Sequence, residues 1–279
     1  MLIADAQVHI WAADTPERPW RAMRNQPHRP VPFSAADLIA EMDAAGVDRA
    51  VIVPPSWEGN RNDLALQAAT LHPGRIGIMG RIAADQPAAS APLLENWRSQ
   101  PGMLGLRFTS AIAPGVPSLS DGSMDWIWPL AERFALPVML ACPGELAAVG
   151  RIAEAHPGLR LIVDHLALPR GAKDAAAFVD IPQLVALAKY PNVAAKASAV
   201  PCASTEPYPY RNTHEALHRV FDAFGPRRMF WGTDITRLPC TYRQAITMFT
   251  EELPFLAGAD LEWVMGRGLC RFLRWEASV

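Results

Sequence analysis

No run of eighteen apolar residues occurs in the chain, so a membrane-spanning helix is not expected. Basic residues are not in excess: 26 Lys and Arg stand against 28 Asp and Glu, and the arginines are scattered. That balance argues against a nucleic-acid partner, because phosphate backbones select clustered positive charge. Cysteine is scarce. Cys142, Cys202, Cys240 and Cys270 lie far apart without metal-ligand spacing, so four reduced thiols are expected. The chain runs from Met1 straight into Leu-Ile-Ala-Asp, with no basic region or apolar segment leading to a cleavage site, and a cytoplasmic location is expected. Also missing is the glycine-rich turn that a dinucleotide-binding sheet needs after its first strand. No linker or internal repeat divides the chain, so one domain over residues 1–279 is expected.

What the chain does have is a core: 50% of its residues are apolar. Buried, β-branched runs alternate with helical spacing along nearly its whole length. Strand-like runs lie at 2–11, 49–53, 75–82, 103–108, 137–141, 159–163, 193–197 and 229–232. Helical patterns lie at 35–45, 62–71, 88–98, 125–135, 145–155, 181–189, 213–224, 242–251 and 260–272. Ser34 reads as the cap of the first helix and Gly46 as its end. Such strict alternation means parallel strands joined by right-handed crossovers. Eight units in a chain of this length predict a single-domain (β/α)8 TIM barrel.

A barrel assembles its chemistry at the C-terminal ends of its strands. The polar residues there are Gln7 and His9 (first strand), Arg107 (fourth), Asp164 and His165 (sixth), Lys196 (seventh), and Thr233 and Asp234 (eighth). Gln7 and His9 share one face by the period of two. Each residue has a bland reading alone: a hydrogen-bonded core histidine, a helix-capping aspartate, an ion pair of Arg107 with a loop acid or of Lys196 with Asp164 or Asp234. Converging on one mouth, the set would be costly to bury without a function. Its chemistry is attack of water on a carbonyl, with a carboxylate as base and imidazoles and cations facing the oxyanion. The planar fork of Arg107 suits a substrate carboxylate.

Residues 12–33 form a long aperiodic loop, with a second at 200–212. Trp11, Trp20, Arg21, Trp57, Tyr208 and Tyr210 are expected to shape a pocket for a small-molecule substrate, Trp11 and Tyr210 by direct contact. His28 lies in the first loop without further signal. His72 and His156 end helices, where the dipole favours them. His214 and His218 sit four apart with no third metal ligand nearby.

Five segments, Asp5-Ala6-Gln7-Val8-His9-Ile10-Trp11, Gly105-Leu106-Arg107-Phe108, Val163-Asp164-His165-Leu166, Val193-Ala194-Ala195-Lys196-Ala197-Ser198 and Trp231-Gly232-Thr233-Asp234, resemble the amidohydrolase superfamily. The likeness is nearest to the amidohydrolase-2 branch, with its 2-pyrone-4,6-dicarboxylate, sugar-lactone and muconolactone hydrolases, and it extends from residue 3 to about residue 273. The resemblance implies a barrel hydrolase in which His9 is the second member of a first-strand His-x-His pair, His165 the sixth-strand histidine and Asp234 the water-activating base. Arg107 and Lys196 match positions that contact substrate or its carbonyl.

Two departures stand out. Gln7 replaces the first histidine, and the fifth strand, ending Ala141-Cys142-Pro143, offers no bridging metal ligand. A binuclear centre is not expected on that donor set, and no metal cofactor is favoured. The alternative is one divalent ion such as zinc on His9, His165 and Asp234, with Gln7 a weak fourth ligand. The expected activity is hydrolysis of a small carboxylate-bearing lactone, an ester reactive enough to need no metal. A metal-dependent decarboxylase or amide hydrolase, and a non-catalytic binding barrel, are the alternatives; self-association is left open.

Overall fold

The computed structural model describes residues 1–20, 28–29, 31–110 and 117–275. Eight parallel strands, β1 (Ala4–Val8), β2 (Arg49–Ile52), β3 (Ile76–Gly80), β4 (Met103–Thr109), β5 (Val138–Ala141), β6 (Leu161–Val163), β7 (Val193–Ser198) and β8 (Met229–Gly232), follow one another in sequence order around one sheet. With helices α1 (Ala35–Ala45), α2 (Asp63–Leu71), α3 (Pro87–Ser90), α4 (Ile127–Arg133), α5 (Leu146–Ala155), α6 (Ile181–Ala186), α7 (His214–Phe224) and α8 (Tyr242–Thr250) between and after them, they form the expected (β/α)8 barrel. Short α9 (Gly258–Glu262) and α10 (Gly268–Leu273) end the chain.

Helix ends follow local chemistry. Ser34 and Asp37 make a reciprocal capping box at α1, and Gly46 closes that helix at φ 78°, where a side chain would be strained. The helix expected over 88–98 is broken: Pro92 removes a donor, and the segment continues as 3-10 turns at Ala91–Leu94 and Trp97–Ser99. The helix expected over 260–272 contains a π-turn at Trp263–Arg267. Gly266 fits there because a Cβ would lie 2.6 Å from the Leu2 carbonyl beneath it.

Two apolar layers hold the fold. Val8, Ile52, Ile78, Leu106, Val138, Leu140, Leu161 and Met229 face the surrounding helices. Ala4, Ala6, Val51, Val53, Met79, Met139, Ile162, Ala194 and Phe230 fill the barrel interior.

β1 departs from simple alternation. Asp5 pairs with Ala50 and Val8 with Ile52, so β1 advances three residues while β2 advances two. Ala6 and Gln7 therefore both turn inward, Ala6 among the interior residues and Gln7 against Lys196. Asp5 turns outward and ties the seam between β1 and β8. Its buried carboxylate accepts from the backbone N–H groups of Gln7 (2.9 Å) and Thr233 (2.8 Å), from the Thr233 hydroxyl and from Tyr242 Oη of α8 (2.8 Å). Asp234 N–H donates to the Gln7 carbonyl at 2.7 Å, bringing the two ends of the chain's barrel together at the site.

Among the described residues no helix is long and apolar enough to cross a membrane. All four cysteines are free thiols.

Candidate active site

At the floor lies a buried ionic chain. Asp164 follows β6 and pairs with two cations: Lys196 Nζ lies 2.7 Å from its Oδ1, and Arg107 Nε donates to its Oδ2 at 3.2 Å. Burial alone would raise the pKa of Asp164; Lys196 and then Arg107 outweigh it and hold the carboxylate below its ordinary range. Burial pulls the Lys196 pKa below its ordinary value, and Asp164 beside it opposes that shift. Lys196 has no solvent exposure, and its three hydrogens face Asp164, Gln7 Oε1 (2.6 Å) and Met139 Sδ (3.3 Å). Its complete burial keeps it from a substrate, so Lys196 acts through its neighbours.

One of those neighbours is Gln7. The ammonium demands an acceptor, which fixes Gln7 Oε1 toward Lys196 and turns Nε2 toward His9, 3.1 Å from His9 Nε2. An amide nitrogen can only donate, so His9 Nε2 carries a lone pair. The ring proton sits on Nδ1, which donates to the Val53 carbonyl at 2.5 Å. Burial, opposed by Asp234, lowers the His9 pKa to about 3, which keeps the ring neutral.

Asp234 stands opposite. It follows β8 in a left-handed conformation (φ 55°, ψ 47°), strain of roughly 1–3 kcal/mol for a residue with a Cβ. Its Oδ1 lies 3.4 Å from His9 Nε2, is buried, and has no hydrogen-bond partner. Burial raises the Asp234 pKa, but the imidazoles of His9, His28 and His165 and the Arg237 guanidinium together push it below the ordinary carboxylate range. The His9 lone pair is taken by the Gln7 amide, so Asp234 Oδ1 is the acceptor that calls for a donor.

His165 approaches from the third side, at φ 52° in a left-handed run with Leu166 and Ala167. Its Nδ1 is 2.8 Å from Ser198 Oγ, and burial brings its pKa to about 4. Arg107 also donates through Nη1 to Thr109 Oγ1, which leaves its Nη2 edge.

The structure therefore brings Gln7, His9, Arg107, His165, Lys196 and Asp234 together. Trp11 is buried at the rim, edge-on to Trp57 with ring centroids 5.5 Å apart. Tyr210 is buried against Tyr208 and hydrogen-bonded to Cys240. Trp20 donates to the Ala12 carbonyl, and Arg21 lies outside the described residues. His214 Nε2 meets the Pro209 carbonyl and His218 stacks on Phe255, so the pair does not converge.

Two residues at the site carried no clear signal in the sequence. Arg237 reaches Asp234 Oδ2 at 3.3 Å from the turn after β8; a basic residue three positions beyond the acid was the clue available. His28 enters from the first loop, its Nδ1 3.9 Å from Asp234 Oδ1 and 2.8 Å from Thr236 Oγ1, its ring 5.5 Å from that of His9. The loop is moored by Arg18, which grips Asp63 with two nitrogens (2.7 and 2.8 Å) and Glu58 with Nε (2.9 Å).

The donor set bears on a metal. Gln7 Oε1 is taken by Lys196, and His9 Nε2 already accepts from Gln7. Among the described residues no group of three His, Cys, Asp or Glu is arranged to hold an ion.

The sequence matches the family model described as amidohydrolase over residues 4–267. The chain belongs to the amidohydrolase family. This amidohydrolase is 28% identical over 244 residues to an L-fucono-1,5-lactonase of Burkholderia ambifaria, covering 82% of this chain and 79% of the relative. In fold it is similar to an amidohydrolase of Burkholderia multivorans solved with bound zinc (TM-score 0.81, 20% identity, 98% of this chain and 99% of that one). It is also similar to a probable 2-pyrone-4,6-dicarboxylic acid hydrolase of Acinetobacter baumannii solved with citric acid (TM-score 0.79, 18% identity, 98% and 100%). At such identities these two establish the amidohydrolase's fold alone.

Proposed function

We propose that this amidohydrolase opens a small, carboxylate-bearing lactone by attack of water that Asp234 deprotonates. The observation carrying the reading is the buried Asp234 Oδ1, which has no hydrogen-bond partner among the described residues. A water beside Asp234 Oδ1 donates a hydrogen to it, and a lone pair of the water oxygen points at an incoming carbonyl carbon. The proton passes to Asp234 as the new C–O bond forms. His165, steadied by Ser198, faces the carbonyl oxygen as negative charge develops. Lys196 contributes by fixing Gln7, and through it the His9 tautomer.

Three cations (Arg107, Lys196, Arg237) face two carboxylates (Asp164, Asp234), so the site carries one excess positive charge, which favours an anionic substrate. The Nη2 edge of Arg107 is the group we assign to the substrate's carboxylate. A lactonase activity agrees with the L-fucono-1,5-lactonase relative. The test is turnover of a lactone panel by wild type and Asp234→Asn; comparable rates would reject the reading.

The second reading places one divalent ion on His9, His165 and Asp234. It is favoured by the same orphaned oxygen and opposed by the engagement of both Gln7 and His9 Nε2. Elemental analysis of the purified protein separates the two: a stoichiometric ion supports the second, and full activity without one supports the first.

A further inference from the structure

Opening a lactone breaks the bond between carbonyl carbon and ring oxygen, and the ring oxygen departs with the electron pair. Where the lactone is closed on an aliphatic alcohol, that oxygen is an alkoxide, too basic to leave without receiving a proton. The groups around Asp234 differ in whether they can deliver one. His9 has its single hydrogen on Nδ1, committed to the buried Val53 carbonyl, and its Nε2 accepts from Gln7. Lys196 is fully buried with all three hydrogens engaged. Arg107 and Arg237 are guanidinium groups that do not give up protons. His165 has Nδ1 held at Ser198 and faces the carbonyl in the reading above.

His28 remains. It comes from the loop after β1 and lies between Asp234 and the solvent: its side chain is 17% exposed, that of Asp234 1%. A substrate entering the mouth therefore meets His28 before it reaches the base. Thr236 Oγ1 (2.8 Å) fixes its Nδ1 beside Asp234, and Trp57 (centroids 5.3 Å) and Trp11 (6.3 Å) hold the ring edge-on. The 3.9 Å between His28 Nδ1 and Asp234 Oδ1 exceeds a hydrogen bond, as catalytic contacts commonly do before substrate tightens them.

We propose that His28 is a further catalytic residue, a neutral imidazole that protonates the departing ring oxygen, and that the substrate is accordingly a lactone of an aliphatic alcohol. The proposal rests on the water-attack reading. The proton balance closes within the site. Water loses a proton to Asp234 as its oxygen bonds the carbonyl carbon. The tetrahedral intermediate collapses, the ring C–O bond breaks, and His28 gives the oxygen a proton from one nitrogen while taking the Asp234 proton at the other. The products are a hydroxy acid, the Asp234 carboxylate and the other tautomer of the His28 imidazole, which returns to the first by proton exchange with solvent.

The test compares two lactones that differ in the leaving oxygen: an aliphatic δ-lactone, and dihydrocoumarin, whose phenolate departs without a proton. They are assayed with wild type, His28→Gln and His28→Ala, and thermal unfolding of each variant verifies its fold; His28→Gln retains polar contact with Thr236. Loss of a general acid should lower kcat on the aliphatic lactone about 100-fold and change dihydrocoumarin turnover less than about threefold. Equal slowing on both, or no slowing on the aliphatic lactone, overturns the proposal. Failure of the underlying reading has a different signature: Asp234→Asn would then turn over both lactones at wild-type rates.

Discussion

Replacing Lys196 with methionine is the most informative single perturbation of the site's floor. The side chain keeps its length, but Asp164 loses the ammonium 2.7 Å away and Gln7 Oε1 loses its donor at 2.6 Å. Removing one member of a buried ion pair costs about 3–5 kcal/mol, because the other charge stays in place uncompensated. For a domain of this size that corresponds to a fall in Tm of roughly 6–15 °C near neutral pH. The loss should depend on pH, with a sign that can be worked out. In the wild type Lys196 and Arg107 hold the Asp164 pKa low, so its contribution to stability is present above the unfolded pKa and lost only in strong acid. In the variant, burial opposed by Arg107 alone pushes that pKa up. Asp164 then protonates as pH falls through its raised value, and the destabilisation relative to wild type shrinks. Thermal unfolding of both proteins between pH 5 and pH 8 should show a gap that widens with rising pH. A Tm change under about 2 °C, or a gap independent of pH, would refute the ionised pair at the barrel floor.

Two further outcomes follow from neighbouring groups. Burial, against four donors, raises the Asp5 pKa to about 6; stability gained from the raised value is fully present below the unfolded pKa and is lost as pH rises through 6. Asp5→Asn removes that titration, so the stability difference between variant and wild type should move in the variant's favour by up to about 3 kcal/mol from pH 4 to pH 7 in denaturant unfolding; a constant difference would contradict it. Arg107→Lys keeps a charge beside Asp164 but loses the fork, and should raise KM about tenfold for a carboxylate-bearing lactone while leaving its methyl ester within about twofold. An equal effect on acid and ester would remove Arg107 from substrate binding.

The barrel was legible because parallel strands buried on both faces read as continuous apolar runs between helical spacings. Gln7, His9, Arg107, His165 and Asp234 were legible as polar groups at the ends of such runs, where only function or pairing makes them tolerable. Lys196 shows the limit of that logic. A lysine at a strand end looks the same whether it reaches the substrate or lies beneath it, and its complete burial depends on Asp164, Gln7 and Met139 from three other strands or turns. The inward turn of both Ala6 and Gln7 was not legible, since it depends on how β1 registers against β2. Neither was His28. Its loop has no periodicity, and its placement depends on Trp11 N–H meeting the Phe33 carbonyl and on Arg18 gripping residues some forty positions away. The break in the helix expected over 88–98 is the opposite case: Pro92 is visible in the sequence, and its missing N–H outweighs the apolar spacing around it.

The central claim is that Asp234 activates the attacking water. Its most direct test is kcat for Asp234→Asn, a substitution that keeps the side chain's shape and the backbone bond to Gln7 while removing the basic oxygen. On the best lactone of the panel, with Tm near that of the wild type, kcat should fall roughly a thousandfold or more. Turnover within a few-fold of wild type would contradict the account.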